Sequence, residues 1–150
     1  MIAVKEFKVE TSEQIKAPPE KVWDFLCDWD RWPEWVEVMG EFSYRSDERA
    51  REGSVYREIT IAEGESIETE WQIIKFQPPH LQVHEHRGPD IHIILTHKVE
   101  PDAAGTRHTI VTEFTVGESM EKMFVKADME PGLKQTASNF KRMIEDQVGA

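Results

Sequence analysis

Four of the chain's five tryptophans fall between Trp23 and Trp35, in the run APPEKVWDFLCDWDRWPEWVEV. The run opens on Pro18-Pro19-Glu20. Proline suits a first helical turn, where its missing N–H is no loss, and a glutamate there complements the positive helix end. Val22, Trp23, Phe25 and Leu26 then recur at helical spacing and form one apolar face. Pro33 interrupts the next stretch, so the pattern predicts a second short helix, roughly Arg31 to Val36, rather than a continuation.

Extended segments surround this helical pair. Lys5 to Lys16 reads as a first strand, with Phe7, Val9 and Ile15 as its apolar members. Val36 to Tyr44, Val55 to Ala62, Ile67 to Phe76, Leu81 to Arg87, Ile91 to Val99 and Arg107 to Val116 read as six more, separated by charged, Gly- or Pro-bearing turns. The remainder is helical. Met120, Met123, Phe124 and Ala127 form one stripe, Pro131-Gly132 kinks or breaks the chain, and Leu133, Thr136, Ala137, Phe140 and Ile144 form a second stripe facing the sheet.

That order and those words resemble the START-like (Bet v 1-like) superfamily, and more narrowly its polyketide cyclase/dehydrase branch. IKAPPEKVWDFLCDWDRWPEW resembles its first strand and helix pair, GTRHTIVTEF its last strand, and TASNFKRMIEDQ the end of its long C-terminal helix. The resemblance runs from about Phe7 to Gln147. It implies an α+β helix-grip fold: a curved antiparallel sheet of about seven strands wrapped around a long C-terminal helix, in one domain spanning 1–150. It also implies an internal cavity for a small hydrophobic or polyketide-like ligand. Members are either cyclases and aromatases or carriers of lipids, sterols or quinones, and fold does not choose between them.

Bulk properties narrow the partners. A chain of 150 residues is long enough for one sizeable core. A formal net charge of -11 argues against nucleic acid, whose phosphates require a basic surface, and against a polybasic membrane contact. No stretch approaches the roughly 20 apolar residues of a membrane span. MIAVKEFKVE lacks the apolar core of a signal peptide, and a lone cysteine, Cys27, excludes an intramolecular disulfide. The expectation is a cytoplasmic protein, monomer or homodimer, with no cofactor.

Within a half-buried sheet the apolar face is the inner one. This puts Leu81, Val83 and Glu85 inward on the fifth strand, Ile91, Ile93, Leu95 and His97 on the sixth, and Ile110, Thr112, Phe114 and Val116 on the seventh. A three-residue hairpin turn at Gly88-Pro89-Asp90 would keep Val83 and Glu85 on the face of Leu95; a two-residue turn would reverse the fifth strand's faces. Arg57 shares a face with Ile59 and Ile61. On this reading Glu85 and His97 are the candidate catalytic acid/base groups, with Arg57 or His97 available to pair the buried carboxylate. The alternative is that these positions mark strand ends open to solvent.

Trp35, Trp71, Leu95, Thr112, Phe114, Met123, Met129, Leu133 and Phe140 are the other candidate ligand contacts, with Arg57. Aromatic walls suit a flat ring system and methionines adapt to varied shapes, although both also serve ordinary packing. His84 and His86 share what this register makes the outer face, and no metal-binding motif accompanies them, so no metal site is expected. Cys27 sits among Trp23, Phe25 and Leu26 and reads as inert filling. IETEWQIIKF lacks an arginine that some aromatase members carry on this strand, a departure that weighs against aromatase activity and leaves ligand binding intact.

Overall fold

The computed structural model describes residues 5–36, 41–46, 49–62, 64–118 and 126–148, with the side chains of 41–45, 60–62, 65 and 126–128 excepted. Seven antiparallel strands form one sheet: β1 (Lys5–Ile15), β2 (Glu41–Arg45), β3 (Val55–Ala62), β4 (Glu65–Gln77), β5 (Leu81–Gly88), β6 (Ile91–Asp102) and β7 (Gly105–Val116). Their order across the sheet is β1-β7-β6-β5-β4-β3-β2, so five sequential hairpins are closed by the first strand returning to lie beside the last. Helix α1 (Pro19–Cys27) and a 3-10 turn (Trp29–Glu34) fill the gap between β1 and β2. Helix α2 (Lys126–Val148) lies in the grip of the curved sheet. Among the described residues no helix is long and apolar enough to cross a membrane.

The tryptophan run folds as its pattern requires. Val22, Trp23 and Leu26 bury the apolar face of α1. The 3-10 turn starts two residues earlier than Arg31, because Asp28 and Trp29 already turn the chain there: Arg31 N–H donates to Asp28 O at 3.1 Å. Trp32 Nε1–H then donates to Leu26 O at 2.9 Å. It thereby satisfies a carbonyl that the end of α1 leaves without a helical partner. Trp29, Trp32 and Trp35 join Tyr56, Trp71, Ile73, Phe140 and Ile144 in one core cluster.

Helix α2 decides between the two outcomes expected at Pro131-Gly132, a kink or a break, against the break. It runs through Pro131 without a break. An interior proline removes a single backbone hydrogen bond. The expected stripe outweighs that loss: Thr136, Ala137, Phe140 and Ile144 are all buried. The first stripe, at Met120, Met123, Phe124 and Ala127, lies outside the residues whose side chains are described. At the opposite end of the sheet Gly105 has φ 136, and a Cβ there would stand 2.8 Å from the carbonyl oxygens of both Ile15 and Ala17. Only glycine fits, and the neighbouring Thr106 Oγ1–H donates to Ala17 O at 2.7 Å, pinning the entry to α1 against β7.

Candidate functional site

The turn between β5 and β6 decides which side chains face inward. It has two residues, Pro89 and Asp90, with Asp90 at φ 63; Gly88 pairs with Ile91, His86 with Ile93, His84 with Leu95 and Gln82 with His97. The three-residue turn is therefore overturned, and the faces of β5 exchange. Gln82 and His84 are wholly buried. Glu85 turns to the outer face, where it accepts from His92 Nε2 at 2.8 Å and pairs with Arg87 at 3.1 Å. The His92 hydrogen bond holds its carboxyl below the usual range, against a smaller opposing effect of desolvation. Parity reverses on β3 as well. Tyr56 is buried opposite Trp71, while Arg57 points outward and meets Glu70 at 3.4 Å. Neither Glu85 nor Arg57 reaches the interior.

The expected inner faces of β6 and β7 hold. His97 and Thr112 are buried, and with Ile93, Leu95, Ile110 and Phe114 they line a cavity of about 210 Å³ between the sheet and α2. Trp32, Trp35 and Val36 close one side, Glu58 and Trp71 another, and Leu133 and Thr136 of α2 a third. An adjoining hollow of about 270 Å³ shares Thr112, Phe114, Leu133 and Thr136 and extends past Met129 to Val9. A larger hollow, about 400 Å³, lies outside the grip beside Cys27, Asp28, Trp29 and Arg49. The aromatic-walled cavity is the better ligand site, because its lining is mostly apolar and burial of a ligand's apolar surface is what such sites provide.

Of the candidate contacts, Trp35, Trp71, Leu95, Thr112, Phe114 and Leu133 line the cavity, as does His97, and Met129 lines the adjoining hollow. Phe140 is core behind the wall: its ring packs against Trp35 at 4.5 Å and against His108 at 4.8 Å. Met123 lies outside the described residues. Glu58 was not expected here. Its signal was parity, since it shares a phase with Tyr56 rather than with Arg57.

Two buried polar chains back this cavity. Tyr56 Oη–H donates to His84 Nδ1 at 2.8 Å, His84 Nε2–H to Gln82 Oε1 at 2.9 Å, and Gln82 Nε2–H to Cys27 Sγ at 3.3 Å. The directions follow from the ends: the amide oxygen can only accept, so the imidazole proton sits on Nε2 and the phenol donates to Nδ1. His97 Nδ1 and His108 Nε2 form the second chain at 3.0 Å. Burial pushes all three histidines below the ordinary imidazole value, His97 to about 3. Burial likewise raises the Tyr56 phenol and lifts the Cys27 thiol to about 11, which keeps the cysteine protonated and poorly nucleophilic.

A curved sheet gripping a helix over an aromatic-walled cavity defines a START-like fold. The family described as polyketide cyclase / dehydrase and lipid transport matches residues 6–145, and the chain belongs to it. Among solved structures, a protein from Chromobacterium violaceum is similar at TM-score 0.75 and 20% identity, covering 92% of this chain and 97% of that one. Ara h 8.0201 is similar at TM-score 0.72 and 13% identity, covering 95% and 99%. The di-domain ARO/CYC BexL from the BE-7585A biosynthetic pathway is similar at TM-score 0.69 and 18% identity, covering 93% of this chain and 50% of that one. At these identities the likeness is one of fold. No curated protein matches the sequence.

Proposed function

We propose that the chain binds one small, uncharged, largely apolar molecule in the cavity and holds it without an acid/base pair. The observation that carries this reading is the chemistry of the wall. Trp35, Trp71, Ile93, Leu95 and Phe114 supply its surface, and its one imidazole, His97, is neutral at pH 7. A base whose conjugate acid has a pKa of about 3 is a poor proton acceptor near neutrality, where catalysis favours values close to the working pH. The carboxylate expected to assist it, Glu85, faces outward. Glu58, which accepts from Thr69 Oγ1 at 3.1 Å, puts a carboxylate on the wall and disfavours anionic ligands such as fatty acids. Carriage or sensing therefore fits better than cyclisation. A cyclase-like reading retains His97 as the cavity's imidazole, with most of its rate supplied by confinement of the substrate.

The test is titration with the neutral dye N-phenyl-1-naphthylamine, followed by emission and by quenching of the wall tryptophans. Saturable binding of one dye per chain is expected. Leu95→Trp, which fills the cavity, should weaken it about tenfold or more, a loss that corresponds to about 1.4 kcal/mol. Glu85→Gln should leave it unchanged. Non-saturable binding, or equal binding by the filled variant, contradicts the proposal.

A further inference from the structure

The pairing of His97 with His108 fixes what the cavity offers a ligand. We propose that His97 presents an Nε2–H donor to the cavity, its tautomer set by His108, and that the site selects neutral ligands bearing a hydrogen-bond acceptor such as a ring ketone. The inference deepens the proposed function and rests on it.

Proton placement between the two rings is constrained. His97 Nδ1 and His108 Nε2 stand 3.0 Å apart, so one of them carries the shared proton. His108 Nδ1 is buried with no partner among the described residues. If His97 donated, neutral His108 would hold its own proton on that Nδ1, leaving a buried N–H unmet. If His108 donates, its Nδ1 is a bare lone pair. Orphaned buried N–H groups are rarer than under-satisfied acceptors. The second arrangement moves the unmatched N–H from the sealed His108 Nδ1 to His97 Nε2 on the cavity side, where water or a ligand can accept it, so it prevails and neutral His97, bare at Nδ1, carries its proton on Nε2. His97 lines the cavity, and Nε2 has no protein partner among the described residues.

Trp35 and Trp71 also line the cavity, are 2% and 7% exposed, and each buries an Nε1–H that no group among the described residues accepts. Those indole N–H groups are sealed within the wall, so the donor that the cavity exposes is His97 Nε2–H. A buried donor left unsatisfied is costly, so a ligand that brings a carbonyl relieves a penalty that a pure hydrocarbon leaves in place.

The experiment compares 1-tetralone with tetralin, two probes of the same ring shape that differ in one carbonyl, by isothermal titration of the whole chain. Tetralone should bind about tenfold tighter or more, the range set by one buried donor gaining a partner. His97→Phe, which keeps a ring and loses the donor, should bring the two affinities together. In the unaltered protein, nitrogen-15 NMR should show His97 protonated on Nε2, with that signal moving on tetralone binding and not on tetralin binding. Equal affinities, or a proton on Nδ1 of His97, overturn the inference while leaving apolar binding intact. If neither probe binds, the proposed function falls, and this inference with it.

Discussion

Lowering the pH from 7 to 5 is expected to cut the stability of the fold steeply: His97, with a folded pKa of about 3, contributes a loss of about 2 kcal/mol, and His84 and His108 act in the same direction. His84, His97 and His108 are buried and neutral, each with its folded pKa pushed below the ordinary value, chiefly by burial. In the unfolded chain each titrates near 6.5. Between that value and the depressed folded value the unfolded chain binds more protons, so stability is present above about pH 6.5 and falls as the pH drops. Ordinary domains have only about 5–15 kcal/mol in hand, so even the loss from His97 is a sizeable fraction of it. Glu85, lowered by its bond from His92, acts in the same direction at still lower pH. Urea midpoints at pH 7, 6 and 5 are the measurement. A steep decline below 6.5 is expected, and a flat profile would mean that the three rings are hydrated.

Trp32→Ala is expected to destabilise the protein by about 3–5 kcal/mol, the range for truncating a large buried aromatic. Trp32 is 2% exposed and touches Trp29, Trp35, Tyr56, His84 and His97. Two losses combine. The cavity left by the indole cannot collapse between a sheet and two helical segments. Leu26 O also loses its donor at the end of α1. Denaturant unfolding checks the magnitude, and a change under about 1 kcal/mol would show that the tryptophan cluster is peripheral to the core.

Much of this was legible in the sequence, for physical reasons that also explain the failures. Pro18-Pro19-Glu20 and the spacing of Val22, Trp23 and Leu26 placed α1, because helical periodicity and a first-turn proline are local properties. Alternation placed β6 and β7 with the correct inner faces, because Ile91, His97 and Val99, like Ile110, Phe114 and Val116, do bury themselves on one side. On β5 the same rule failed. Its buried face carries Gln82 and His84, and its half-buried outer face carries Leu81 and Val83, so hydrophobicity pointed the wrong way. These polar side chains are tolerated inside because they satisfy one another and Tyr56, a long-range arrangement invisible to a local pattern. One residue of turn length then misplaced Glu85. His97 was found and its partner was not: His108 lies on the neighbouring strand, diagonal to His97 in register, and the sequence marks no link between them.

Native mass spectrometry of the protein purified from its own host, followed by denaturation to identify any released molecule, addresses the central claim most directly. One neutral, largely apolar small molecule per chain, released unchanged and absent from Leu95→Trp, is the expected result. A chain that carries nothing and takes up neither N-phenyl-1-naphthylamine nor tetralin would contradict the account, and would make the aromatic wall plain core.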